Sequence, residues 1–327
     1  MSRLEARILR KEIIAENGKT MVTPRLMKEI KKYCRNTFGS SAYWPWLAVY
    51  TEQTGEFKNG WMPYEYYRYE LLPQMNPEKY RDFSECKHLD YKLFNGSVVE
   101  PLFFRFNGLY YHKQGAALKK SEVNEILGEI DNEVVIKAVS GGGGKNVMFK
   151  QSSEVCLEEL PESSDLLFQN AVEQHSELDK LYPHSINTYR VLTFLDNKGT
   201  VKTKFVILRF GRGGNRVDNC SRGGGWVFVY PDGTLSTKGH DEYGYSLGNT
   251  HPDTGTEFKK LSLPFLDQVN ALCKKAHGAF PFTRIIGWDV YINKEGEAKL
   301  IEWNAETPGF WSFEAHYGPF FEELLPV

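Results

Sequence analysis

Residues 285–304 read IIGWDVYINKEGEAKLIEWN, and their reading decides the fold. Two apolar, β-rich runs, Ile285–Ile292 and Ala298–Trp303, flank the polar turn Lys294-Glu295-Gly296-Glu297, the pattern of an antiparallel hairpin. Glu302 and Asn304 are two apart, so they face one side of their strand. A four-residue loop at 294–297 sets Asp289 opposite Glu302, with Cβ atoms about 5 Å apart. Two carboxylates that close repel unless a cation sits between them. Asp, Glu and Asn oxygens suit Mg²⁺, which takes waters and substrate phosphates as its other ligands. Exposed strand carboxylates are the plainer alternative.

Working towards the N-terminus, the same kind of short strand recurs. Leu166–Val172, Asn187–Leu195, Lys202–Phe210 and Trp226–Tyr230 read as strands, and Leu263–Ala276 as a helix. Glu133–Ala138 is a β-branched strand with Lys137 inside it, joined to a strand at Asn146–Lys150 by Ser140-Gly141-Gly142-Gly143-Gly144-Lys145. Glycines Gly141, Gly142, Gly143 and Gly144 remove every Cβ from the tip, so backbone N–H groups can close on phosphate oxygens, and Lys145 adds a cation. The turn lacks the Ser/Thr of a phosphate-binding P-loop and opens no helix. A plain hairpin tip is the alternative, but a lysine within a buried strand needs an anionic partner. Arg190, Arg209 and Arg212 recur on or beside adjacent strands, ahead of Arg222-Gly223-Gly224-Gly225, and could grip phosphate or carboxylate bidentately. Mixed strands, hairpins and helices indicate an α+β fold.

The first 35 residues read as helical and basic, with ten Lys/Arg against four Glu. Thr23-Pro24 is a helix start, with Leu26, Ile30 and Tyr33 on one face. The basic excess is a solvated helix face or a contact with a membrane surface or an anionic lipid-linked substrate. Residues 43–69 hold ten aromatics, read as core or inter-domain packing rather than sugar stacking.

Over the whole chain, 40 Lys+Arg stand against 42 Asp+Glu among 327 residues, no basis for nucleic-acid binding. With 41% apolar and 25% charged residues, disorder is excluded. No run is apolar enough to span a bilayer or serve as a signal peptide. Five scattered cysteines without Cys-x-x-Cys read as reduced thiols, so the expected compartment is the cytoplasm. No His-Glu-x-x-His and no Gly-x-Ser-x-Gly appears, which removes zinc-peptidase and serine-hydrolase chemistry.

In this order, the glycine hairpin with its lysines, a hinge and Asp…Glu-x-Asn resemble the ATP-grasp superfamily, and more closely its sugar-transfer-associated branch from bacterial surface-polysaccharide clusters. The matching residues include Ser140–Lys145, Ser185–Arg190, Arg209–Gly214, Val217–Asn219, Gly223–Gly225, His251–Gly255, Gly287–Asp289 and Ile301–Asn304. The resemblance implies an ATP-grasp fold, two α+β subdomains clamping ATP, at 85–327 (a nucleotide-lid part at about 95–172, a metal and substrate part at about 173–327), after a helical, aromatic-rich region at 1–84. It implies phosphate contacts for Lys92 and Lys137, with Gly141–Lys145 as a lid. Gln169, Asn170 and Val172 would form the adenine hinge and Glu177 the ribose-binding acid. Asp289, Glu302 and Asn304 would hold two Mg²⁺ ions, for which Mn²⁺ can substitute, and Arg190, Arg209, Arg212 and Lys145 would serve catalysis. Ala138 follows the strand lysine where the family commonly has proline, and Asn170 stands where a glutamate is common.

The activity implied is a carboxylate–amine ligase working through an acyl phosphate. A sugar acid or aminosugar and an amino acid or other amine are the implied partners, with peripheral contact to a lipid-linked glycan. The alternatives are a kinase acting on a sugar hydroxyl and a non-catalytic nucleotide-binding module of a glycan-assembly complex.

Overall fold

Three helices open the chain: α1 (Arg3–Asn17), α2 (Pro24–Phe38) and α3 (Trp44–Thr54). Ser2 and Glu5 form a capping box at the start of α1. The Thr23 hydroxyl accepts the Leu26 N–H, with Pro24 at the first helical position of α2, as the sequence indicates. The computed structural model describes residues 2–94, 96–139, 147–161 and 164–326. Gly141, Gly142, Gly143, Gly144 and Lys145, expected to form the lid, lie outside the described residues.

Two sheets follow, both built from antiparallel pairs. The smaller has the order β3 (Ala117–Leu118), β2 (Leu109–His112), β1 (Pro101–Phe106), β6 (Leu166–Asn170), β4 (Glu133–Ala138), β5 (Val147–Gln151). The larger runs β11 (Ser246–Gly248), β10 (Gly239–His240), β9 (Gly225–Val229), β8 (Val201–Phe210), β7 (Tyr189–Leu195), β12 (Ile285–Ile292), β13 (Ala298–Asn304). Among the remaining helices, those that bear on the cores and the site are α4 (Lys87–Leu93), α5 (Lys120–Gly128), α6 (Leu266–Ala279) and α7 (Trp311–Tyr317). The sequence reading starts α6 at Leu263; the helix begins after Pro264 because a proline disfavours helical backbone in the residue before it.

The period-two alternation of the larger sheet decides where everything else packs. One face, with Tyr189, Val191, Val206, Leu208, Trp288 and Val290, buries itself against α6. On the other face Leu192, Phe194, Phe205, Ile207, Trp226 and Phe228 share a core with the N-terminal helices and with Phe310, Trp311 and Phe321. That face changes character along β7: Phe194 and Leu192 are apolar, and the next residue on it is Arg190. The covered end builds core; the open end builds a site.

The aromatic segment at 43–69 is mainly core, since Trp46, Tyr50 and Trp61 are fully buried. Its seam with the C-terminal helix is polar and buried. Trp61 Nε1 donates to the Glu314 carbonyl at 3.0 Å, and the Glu314 carboxylate accepts the Met62 N–H at 3.2 Å and the Phe320 N–H at 2.9 Å. Burial pushes this carboxyl up to about 8, against the pull of the two N–H donors. Between the ordinary carboxylate range and pH 8 the native state therefore holds a proton that the unfolded chain has released, and stability falls as pH rises. The expected loss is at most about 1.4 kcal/mol per pH unit for this group. Thermal unfolding of the parent and of Glu314→Gln between pH 6.5 and 8.5 checks this: the glutamine variant should show the shallower decline.

Candidate active site

A cleft of about 1200 Å³ opens between the two sheets. The smaller sheet turns Phe103, Val134, Ile136 and Phe168 towards α5 and their alternating neighbours Val135, Lys137, Leu167 and Gln169 into the cleft. The larger sheet contributes Arg209, Asp289, Tyr291 and Glu302, and α4 contributes Lys87, Asp90 and Tyr91.

Asp289 and Glu302 are direct cross-strand partners, as the sequence indicates, although the route differs. Asn293 donates to the Glu297 carbonyl, so the loop holds three residues, with Gly296 at φ 83°. A register shift between Asp289 and Val290 pairs Val290 with Leu300, leaving Ile301 as the extra residue. The shorter loop and the bulge cancel.

The neighbours of the two carboxylates differ sharply. Asp289 is buried, and its oxygens accept from Arg190 (2.9 Å) and Arg209 (2.9 Å). Burial works against its charge, yet the two guanidiniums outweigh it and hold the carboxyl below its usual range. Arg190 lies across Gly287, where a Cβ would stand 2.8 Å from the guanidinium; that approach requires glycine. Arg209 also donates to the Thr188 hydroxyl (3.0 and 2.8 Å), which itself donates to Asp218 at 2.5 Å. Glu302 is half-buried, 3.9 Å from the Lys87 ammonium. Burial is the main cause pushing its carboxyl up, with Lys87 pulling it down and Asp289 adding to the rise. Lys137, half-buried, has its ammonium pushed down by burial and drawn back up by Glu302. Asp90 accepts the Trp303 indole N–H at 2.8 Å, and burial pushes it up to about 8, so it is largely protonated at neutral pH.

Two lysines, two arginines and a carboxylate pair at one end of a deep cleft, under a strand that precedes a glycine run, are suited to a polyphosphate. A family match settles the lineage: residues 77–325 match sugar-transfer associated ATP-grasp. The chain belongs to that family. No curated protein matches the sequence. Similar solved structures include the ATP-grasp ligase PsnB complexed with minimal precursor (13% identity, covering 73% of this chain and 58% of that one, TM-score 0.40). Others are a putative ATP-grasp superfamily protein from Archaeoglobus fulgidus (13%, 76% and 55%, 0.42) and D-alanyl-alanine synthetase A from Vibrio cholerae O1 (13%, 72% and 60%, 0.41). This chain spans little more than half the length of these structures.

Of the expected residues that are described, the fold brings most together and sets Lys92, Glu177, Arg212 and Asn304 apart. Lys137, Gln169, Asn170, Val172, Arg209, Asp289 and Glu302 line the cleft, and Arg190 stands behind Asp289. Gln169 donates to the Val99 carbonyl at 2.8 Å, while its buried Oε1 has no partner among the described residues. Lys92 is exposed and off the cleft wall; Lys87 lines it instead. Helix periodicity explains the exchange, because Lys87, Asp90 and Tyr91 share one face of α4 and Lys92 is rotated off it. The sequence reading named Lys92 alone; the docking of α4 puts Lys87 on the cleft wall in its stead. Glu177 pairs with Lys180 at 2.7 Å and lies off the cleft wall, where Glu173 and Asp179 stand. Arg212 donates to the Gly223 carbonyl, away from the cleft lining; Arg216, 2.7 Å from Glu133, takes its place there. Asn304 Oδ1 accepts the Thr307 N–H at 2.8 Å in a turn, and the residue is not part of the cleft wall.

These donors suit a divalent cation in a particular way. Among the described residues no three His, Cys, Asp or Glu side chains gather around a common point. Asp289 is already neutralised by two arginines, and cations crowd the pair. Glu302, half-buried with Lys87 as its partner, and Asp289 fit Mg²⁺ arriving with phosphate oxygens, the usual pattern for that ion. Mg²⁺ alone is therefore expected to bind weakly, and ADP to tighten it by on the order of tenfold or more. Titration calorimetry of Mg²⁺ with and without ADP measures the difference.

Proposed function

We propose that this protein is an ATP- and Mg²⁺-dependent carboxylate–amine ligase. Supporting this reading is one observation above the rest: Lys87 and Lys137 line the same cleft as the Asp289–Glu302 pair, Lys87 3.9 Å from Glu302, and Gln169–Val172 line it too. Lys87 and Lys137 bind and orient the phosphate chain, and Gln169, Asn170 and Val172 hold the base. Glu302 and Asp289 hold Mg²⁺, which supplies charge neutralisation for the transferring phosphoryl group. Arg209 and Arg190 fix Asp289, and Arg209, on the cleft wall, presents guanidinium charge towards the acceptor side.

An oxygen of the substrate carboxylate bonds to the γ-phosphorus as the bond to the β-phosphate oxygen breaks, releasing ADP. The amine nitrogen then bonds to the acyl carbon, the C–O bond to phosphate breaks, and the amine proton leaves to solvent. No side-chain nucleophile takes part; positioning and charge neutralisation do the work. A sugar acid or aminosugar joined to an amino acid, in cytoplasmic assembly of a surface polysaccharide, is the pairing the family suggests.

The test is Mg²⁺-dependent release of ADP and free phosphate over a panel of uronic acids and amino acids. ADP and phosphate rising together only with both substrates present is the expected result. ADP without free phosphate, with a phosphorylated sugar, would establish a kinase. Nucleotide binding without turnover on any panel member would favour a non-catalytic module.

A further inference from the structure

The N-terminal helices carry a surface that the cleft does not use. In α1 the residues Ala6, Leu9 and Ile13 are buried, and the opposite face presents Leu4, 66% exposed, and Ile8, 49% exposed, in line with Lys11. Isolated exposed leucines are unremarkable; here two lie one turn apart among cations. Trp44, half-buried at the start of α3, gathers those cations from two helices. Arg7 of α1 and Lys31 of α2 lie 5.6 Å from its ring centre, and Arg10 lies 5.8 Å away. Arg3 covers the adjacent Tyr43 at 4.7 Å. Along α2, Arg25, Lys28, Lys31, Lys32 and Arg35 are all exposed, against the single acid Glu29.

Part of this charge is paired locally, Arg3 also with Glu65 at 3.6 Å, while Arg7, Lys28, Lys31, Lys32 and Arg35 are exposed. Glu29 pairs with Arg25, Glu52 with Arg10, and Glu5 caps α1. Glu16 hydrogen-bonds with Tyr245, and Glu12 is exposed one turn beyond Ile8. The first 35 residues hold ten cations and four acids in a chain whose net charge is −2, so the positive charge is concentrated here.

We infer that this face docks the protein on a bilayer bearing anionic lipids. Leu4 and Ile8 enter the headgroup boundary, Trp44 and Tyr43 sit at its level, and Arg7, Lys31 and the exposed α2 cations meet lipid phosphates. Apolar residues inserted beside a basic face distinguish such surfaces from a merely solvated helix. Each cation near an anionic surface contributes about 1 kcal/mol, or about fivefold in binding.

The experiment is co-sedimentation of the full chain with vesicles of phosphatidylcholine, with and without phosphatidylglycerol. Binding to the anionic vesicles only, falling with added salt, is expected. Arg7→Ser with Lys31→Ser should weaken it about 25-fold, and Leu4→Ser with Ile8→Ser should weaken it severalfold. ADP affinity, read in parallel, should stay unchanged in both variants and so report an intact fold. Equal binding to both vesicles, no binding to either, or binding unaltered by the variants would overturn the assignment. So would capture of RNA by the same face with vesicles ignored.

Discussion

Replacing Lys137 with methionine is expected to weaken ADP binding by about 10- to 100-fold, a loss of about 1.4–2.8 kcal/mol. The same change should leave the melting temperature unchanged or raise it slightly. Lys137 is half-buried on β4 with its ammonium pushed down by burial, so the folded protein bears a desolvation cost for it. Methionine keeps the length of the stem and removes that cost. What is lost is a cation placed to meet phosphate oxygens and its attraction to Glu302, which keeps Lys87 as its partner. Calorimetric titration with ADP and Mg²⁺, beside a thermal melt, separates the two effects. Unaltered ADP affinity would remove Lys137 from the phosphate site.

Asp289→Asn should abolish ligation and also destabilise the fold by about 3–5 kcal/mol. The stability cost follows from geometry: the variant leaves Arg190 and Arg209 side by side around a neutral amide, with Arg209 also held by Thr188 and near Asp218. Glu302→Gln is the contrasting change. Burial already favours the neutral form of Glu302, so glutamine should be tolerated in the fold while turnover falls at least about 100-fold for want of a metal ligand. Denaturant unfolding of both variants with ADP-release rates makes the comparison. If Asp289→Asn unfolds at the parent midpoint, the two arginines do not depend on it.

The contrast shows what can be read without coordinates. The hairpin at 285–304 was legible because β-branched and aromatic runs around a polar turn allow few alternatives; Asp289 opposite Glu302 rested on a four-residue loop and holds only because the three-residue loop and the bulge at Ile301 offset each other. Lys137 stood out as a cation directly after the apolar run Val134-Val135-Ile136. Lys87 against Lys92 was not legible: both lie on one short helix, and which face meets the cleft depends on Trp303 holding Asp90. The same holds for Arg216 against Arg212, since loop residues follow contacts such as Arg212 with Gly223 rather than a period.

By itself the sequence determined local geometry: α+β content, strand alternation, caps, and which residue types could meet phosphate or metal. These depend on backbone periodicity and side-chain chemistry over a few neighbouring residues. The tertiary structure decided which charges neutralise one another. Arg190 and Arg209 reach Asp289 only because β7 is laid between β8 and β12 and Gly287 leaves room for a guanidinium, the Arg190 contact spanning about a hundred residues of chain that no local pattern encodes.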